Sequence, residues 1–168
     1  CSVPGLVGDG TTVYFHSPEV PERVHHLLPK VKLVLVLREP SARALSHYYH
    51  HVQRGREKRS TEEAFSEETL LNYEAGTLRS GLSFRYLSNG DYAYHLERWL
   101  RFFPENQILV VQAERLFREP QFVVDDVVDF LGLEQEPLLE LPVLNRGVTG
   151  SKSPAITFRL QKFYQQKV

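Results

Sequence analysis

Residues 32–37, KLVLVL, carry apolar side chains almost without a break. A strand with one wet face would alternate, so this run predicts a parallel strand covered on both faces. The period changes at Pro40. From there Ala42, Leu45, Tyr49 and Val52 recur at helical spacing, with Arg43, Ser46 and His50 along a polar stripe. A proline in the first helical turn removes no needed hydrogen bond. The stretch 92–103 predicts a strongly amphipathic helix, with Tyr92, Leu96, Trp99 and Phe103 on one side and Pro104 ending it. QILVV at 107–111 reads as a second buried strand. Residues 120–131 read as a helix opened by Pro120 and closed by Gly132 as a left-handed cap. Further helices are predicted near 19–28, after the charged loop 53–63, and over 154–166. Residues 1–12, 74–91 and 142–153 read as loops, and 74–91, with its Gly and Ser residues, as a mobile or substrate-facing connection.

Strands alternating with helices predict an α/β chain, with a mainly parallel central sheet flanked by helices in three layers. Ligands of such sheets bind beyond the carboxyl ends of the strands. Arg38 stands at one of those ends.

The 168 residues suit a single domain over 1–168, and 42% apolar with 24% charged residues is an ordinary soluble composition. A net charge of −1 argues against a broad nucleic-acid face. No apolar run approaches the roughly 20 residues of a membrane helix. Cys1 is the only cysteine, which rules out an internal disulfide and a cysteine-based metal site, and leans mildly toward a reducing compartment. Translation starts with methionine, yet the chain opens at Cys1 and contains none, so residues preceding Cys1 are expected.

Three features after Leu37 suit an anion. A helix tip offers free amides and the positive end of its dipole. Arg38 adds a permanent cation with a fork matched to phosphate oxygens. Ser46 adds a hydroxyl on the polar stripe. Among the seven histidines, His47 and His51 have i,i+4 ligand spacing, but no third ligand is evident and no metal is expected.

The segment LREPSARALSHYYHH resembles the one with which sulfotransferases grip the 3′-phosphate of 3′-phosphoadenylyl sulfate (PAPS). There an Arg ends a strand, a Pro starts a helix and a Ser follows eight residues after the Arg, as Arg38, Pro40 and Ser46 do here. GDGTTVYFHSPEVPERVHHLLPKVKLVLVLREP is similar to the approach to that segment in the heparan sulfate and bacterial branch. GDYAYHLERWLRFFPENQILVVQAERLF is similar to the helix–strand unit that follows, and VVDFLGL to the last core helix. Four such matches in order cover nearly the whole chain.

The resemblance implies a P-loop-like fold and PAPS-dependent transfer of a sulfuryl group to a hydroxyl or amine, with PAP as product. Arg38 and Ser46 would bind the 3′-phosphate, and Arg146 and Gly147 would close over the nucleotide in place of the family's Lys-Gly pair. Asp9 and His95 would lie on the acceptor side. The acceptor would be a saccharide, a carrier-tethered acyl chain or a natural product. The family's Lys-x-Gly-Thr-Thr loop for the 5′-phosphosulfate and its general base have no match here, so both are expected upstream of Cys1. GLVGDGTT at 5–12 does not replace that loop, since no strand precedes it and its lysine is absent. The bacterial likeness favours a cytoplasmic setting, and an upstream anchor would instead imply the Golgi lumen. The alternative is a nucleotide-binding or scaffolding module of the same fold without catalysis. A P-loop kinase would need a Walker lysine and a Mg²⁺-binding Asp, and neither is found.

Overall fold

The structure, a computed structural model, describes residues 6–135, 137 and 153–167. Helix α1 (Val20–Leu27) leads to strand β1 (Leu33–Leu37) and helix α2 (Pro40–Gln53). Two short helices follow, α3 (Thr61–Ala64) and α4 (Glu67–Glu74), then α5 (Gly81–Ser88) and α6 (Tyr92–Leu100). Strand β2 (Ile108–Gln112) runs directly into α7 (Ala113–Arg118), α8 (Pro120–Leu131) comes next, and α9 (Pro154–Gln165) packs back on the body. Strands β1 and β2 pair in parallel, Leu33 opposite Ile108 and Leu37 opposite Gln112, so α2 to α6 form one long crossover. The chain is α/β, as its pattern predicts.

One face of the strand pair meets a core. Leu33, Leu35, Leu37 and Ile108 pack against Phe15, Trp99 and Phe103, joined by Val20 and Val24 of α1. A second core lies away from the sheet, where Tyr48, Phe65, Tyr86 and Leu87 meet Ile156, Leu160, Phe163 and Tyr164 of α9. Each large side chain buried here contributes about 1.5–3 kcal/mol by leaving water.

Three expectations are corrected. Neither strand is covered on both faces: Val34 and Val36 of β1 are 37% and 52% exposed, and Val110 of β2 is 47% exposed although its neighbour Val111 is buried. Helices α7 and α8 contact β2. The stretch 74–91 is not a plain connection, since it contains α5 with Ser83, Tyr86 and Leu87 buried. Its Gly and Ser residues are punctuation: Gly76 and Gly81 take positive φ, and Ser80 is the N-cap of α5. The buried stripe of α2 is Ser41, Ala44, Leu45 and Tyr48, not the one drawn through Tyr49 and Val52. Tyr48 can turn inward because its hydroxyl donates to the Arg59 carbonyl at 2.7 Å.

Beside the second core sits a buried carboxylate, Glu57. Glu57 Oε1 accepts from the amides of Lys58 and Arg59 and from Arg59 Nε, each at 3.0 Å. Its Oε2 accepts from Arg59 Nη2 at 2.6 Å and Tyr86 Oη at 3.2 Å. The Arg59 side chain above all holds this acid down from 4.5 to about 2. The stability it adds is present above the unfolded value and lost as pH falls from 4.5 toward 2. Urea unfolding across that window is expected to show a shallower acid limb in Glu57→Gln than in the wild type. Parallel limbs would exclude the role.

Candidate functional site at the carboxyl end of β1

Residue Arg38 follows the last residue of β1, and its carbonyl accepts from Tyr92 Oη at 2.9 Å, which pins the start of α6 to the strand end. Its side chain is 40% exposed, and Nε stands 3.9 Å from Glu114 Oε1 of α7. That separation is the loose end of ion pairing, so the guanidinium remains open to another anion.

The tip of α2 is occupied differently from the sequence expectation. The Glu39 carboxylate accepts from the amides of Ser41 at 3.0 Å and Ala42 at 2.7 Å, and both of its oxygens accept from Ser41 Oγ. Glu39 N in turn donates to Glu114 Oε1 at 3.1 Å. A carboxylate thus caps the helix and offsets its positive end, as acidic caps do. The free amides expected to meet a phosphate are taken. What remains for an anion is side-chain chemistry.

Ser46 supplies part of it. It is exposed, its hydroxyl bonds no other described residue, and at 3.6 residues per turn it shares a stripe with Glu39, Ala42, Arg43 and His50. It lies about 9 Å along the helix from Pro40. Arg38 at the strand end is thus only loosely paired, and Ser46 on the following helix keeps an unengaged hydroxyl among the described residues.

The turn at 13–17 lies beside α6. Asp9 accepts from Tyr14 Oη at 3.0 Å on the exposed edge of this turn. His95 is 5% exposed, with Nε2 2.8 Å from the Ser88 carbonyl and Nδ1 2.8 Å from Arg98 Nη2. A carbonyl only accepts and a guanidinium only donates, so His95 is neutral with its proton on Nε2. Burial first, and Arg98 among its neighbours, lowers its affinity for a second proton, against the pull of the Ser88 carbonyl. The His16 ring stands 4.9 Å from that of His95, and burial above all lowers His16 to about 4. Among the described residues no group of three His, Cys, Asp or Glu side chains could hold a metal ion, and His47 and His51 instead face each other at 3.2 Å.

The pattern of the sulfotransferase domain family matches residues 11–145 of this chain. The chain belongs to that family. Over 120 residues it is 38% identical to the human bifunctional heparan sulfate N-deacetylase/N-sulfotransferase 3, covering 71% of this chain and 14% of the relative. Over 125 residues it is 38% identical to the human heparan sulfate glucosamine 3-O-sulfotransferase 3B1, covering 74% and 30%. A crystal structure of a sulfotransferase from Alicyclobacillus acidocaldarius superposes with a TM-score of 0.75 at 26% identity, over 94% of this chain and 60% of that one. The chain thus spans less than a third of these curated relatives.

Within this sulfotransferase domain, Arg38, Ser46 and His95 fall inside the matched range. Arg146 and Gly147 lie outside the described residues. Sequence reasoning passed over His16, Arg43 and Arg98 as site candidates. The signal for Arg98 was legible, since it stands at i+3 from His95 and shares its helix face. His16 gave no such sign, because its neighbours lie on α6, 79 or more positions away (16 against 95).

Proposed function

We propose that this domain binds PAPS through its 3′-phosphate and serves transfer of the sulfuryl group to a hydroxyl or amine of a saccharide acceptor. The observation that carries the reading is the open Arg38 guanidinium at the carboxyl end of β1, with the unengaged Ser46 hydroxyl on the helix behind it. A guanidinium and a hydroxyl suit a dianionic phosphate monoester, which accepts several charge-assisted hydrogen bonds. The saccharide class is supported by the relatives, whose names place sulfotransfer on the amino and 3-O positions of heparan sulfate and its glucosamine. In-line sulfuryl transfer needs positioning and charge neutralisation above all, as phosphoryl transfer does.

Incubation of the whole protein that carries this domain with PAPS labelled in its sulfur, across N-desulfated heparan, short glucosamine saccharides and acyl-chain alcohols, tests the reading. Label is expected on the saccharides. Tight PAP binding without label on any acceptor would favour a nucleotide-binding module of the same fold.

The Glu114 carboxylate competes with the phosphate for Arg38. Glu114→Gln keeps an oxygen for the Glu39 amide and removes the charge. PAP affinity measured by calorimetry is expected to rise about twofold to fivefold, the scale of a partly exposed ion pair. An unchanged or weaker affinity would place the phosphate elsewhere.

A further inference from the structure

Two half-buried arginines, Arg43 of α2 and Arg98 of α6, have no carboxylate within ion-pair range among the described residues. They are held by neutral acceptors instead. Arg98 Nη2 donates to the His16 carbonyl at 3.0 Å and to His95 Nδ1 at 2.8 Å. Arg43 Nη2 donates to the Tyr86 carbonyl, and Nη1 stands 3.5 Å from His47 Nδ1. The Nε of each arginine is buried and without a partner, and so is Nδ1 of His16.

The imidazoles around them carry no compensating charge. His47 Nδ1 faces Arg43 and is therefore bare, so its Nε2–H donates to His51 Nε2 at 3.2 Å. The His51 proton then sits on Nδ1, which is buried without a partner. Asp91, the acid at the start of α6, is 3.4 Å from Lys167 Nζ. Two cations, four buried nitrogens without a partner and no carboxylate make an expensive arrangement to withdraw from water unless an anion completes it. The cluster adjoins the strand end: Phe15 packs on His16, His95 and Tyr92, and Tyr92 holds the Arg38 carbonyl.

We propose that Arg43, Arg98 and His16 form a second anion subsite, between α2, α6 and the turn at 13–17, that takes one tetrahedral sulfate or phosphate ester group. Its place in catalysis rests on the PAPS reading; its binding of an oxyanion does not. The group comes either from the sulfuryl end of the donor or from an acidic substituent of the acceptor. Binding draws a proton onto His16, whose low value reflects burial and the field of His95, Arg43, Arg98 and His47. Asp91 bears on His95, and Arg85, His50 and His51 on His47.

Inorganic sulfate, titrated against chloride at matched ionic strength, is the first probe. The wild type is expected to bind sulfate saturably, and Arg98→Gln and His16→Gln to weaken it by about tenfold or more, with PAP affinity kept. Arg38→Ala is expected to do the reverse, so loss of the donor reading and loss of this subsite give different patterns. Because Arg98 also holds two carbonyls, a wild-type measurement stands beside the variants: histidine ring signals followed by NMR, with His16 expected to titrate higher when sulfate is present. PAPS binding tighter than PAP, with the gap closed by Arg98→Gln, assigns the group to the donor. A gap left open, with sulfated saccharide weakened relative to its desulfated form, assigns it to the acceptor. Sulfate no better than chloride, sulfate binding untouched by Arg98→Gln in a folded variant, or a His16 signal indifferent to sulfate would each overturn the subsite.

Discussion

Arg38→Ala is expected to weaken binding of adenosine 3′,5′-bisphosphate about a hundredfold, while adenosine 5′-phosphate binds the variant much as it binds the wild type. A hydrogen bond to a charged group is worth about 1.5–3 kcal/mol, and a guanidinium facing a phosphate can make two. The selectivity matters more than the loss. Only the ligand with a 3′-phosphate reaches for Arg38, so a defect shared equally by both nucleotides would mean a damaged fold. The side chain is 40% exposed and only loosely paired to Glu114, so the thermal midpoint of the variant should hardly move. Arg38→Lys should recover part of the affinity, since it keeps the charge and loses the fork.

The largest effect on stability is expected from Gly90→Ala, a single methyl group. A Cβ at this position would lie 2.6 Å from Tyr164 Oη and 2.8 Å from Cζ. Retreat is blocked, because Tyr164 is 6% exposed and its hydroxyl donates to the carbonyls of Leu87 at 2.8 Å and Tyr86 at 3.3 Å. Overpacking of this kind costs about 1–3 kcal/mol, and the strained hydroxyl bonds place the expectation near the upper end. Urea denaturation measures it, and a double-mutant cycle with Tyr164→Leu tests the cause. If the ring is the obstacle, the double variant loses much less than the two single losses added together. Strict additivity would place the strain elsewhere. Gly90 immediately precedes Asp91 and Tyr92, so the same contact sets where α6 begins and how Tyr92 meets the strand end.

Elements with punctuation at both ends were legible from the chain. Pro120 and Gly132 bound α8 at the residues expected, and Gly132 takes the left-handed conformation its place implies. Strand β1 followed from an apolar run, and α2 from Pro40. Helix α5 was hidden because Ser80, Gly81 and Gly90 at and beyond its ends look like loop composition when its eight residues are read together with their flanks. The shift of the α2 stripe has a similar origin. Hydropathy counts Ser41 as polar, yet it is buried because Glu39 satisfies its hydroxyl and amide. Tyr48 is buried because a distant carbonyl accepts its hydrogen bond.

The candidate site divides along the same line. Arg38 and Ser46 were legible because strand, proline and helix are local. The Glu39 cap was overlooked because a carboxylate two residues ahead of its target amides can serve as cap or as solvent-facing charge, and only coordinates decide. His16 and Arg98 meet across more than eighty positions (16 against 98), a separation no local period reports.

The central claim is that the corner after β1 recognises a phosphate on the 3′ position of ribose. Paired calorimetric titrations of the wild type with adenosine 3′,5′-bisphosphate and with adenosine 5′-phosphate address it most directly. The account predicts that the bisphosphate binds at least about tenfold more tightly, the worth of one charge-assisted hydrogen bond. Equal affinities for the two nucleotides would contradict it.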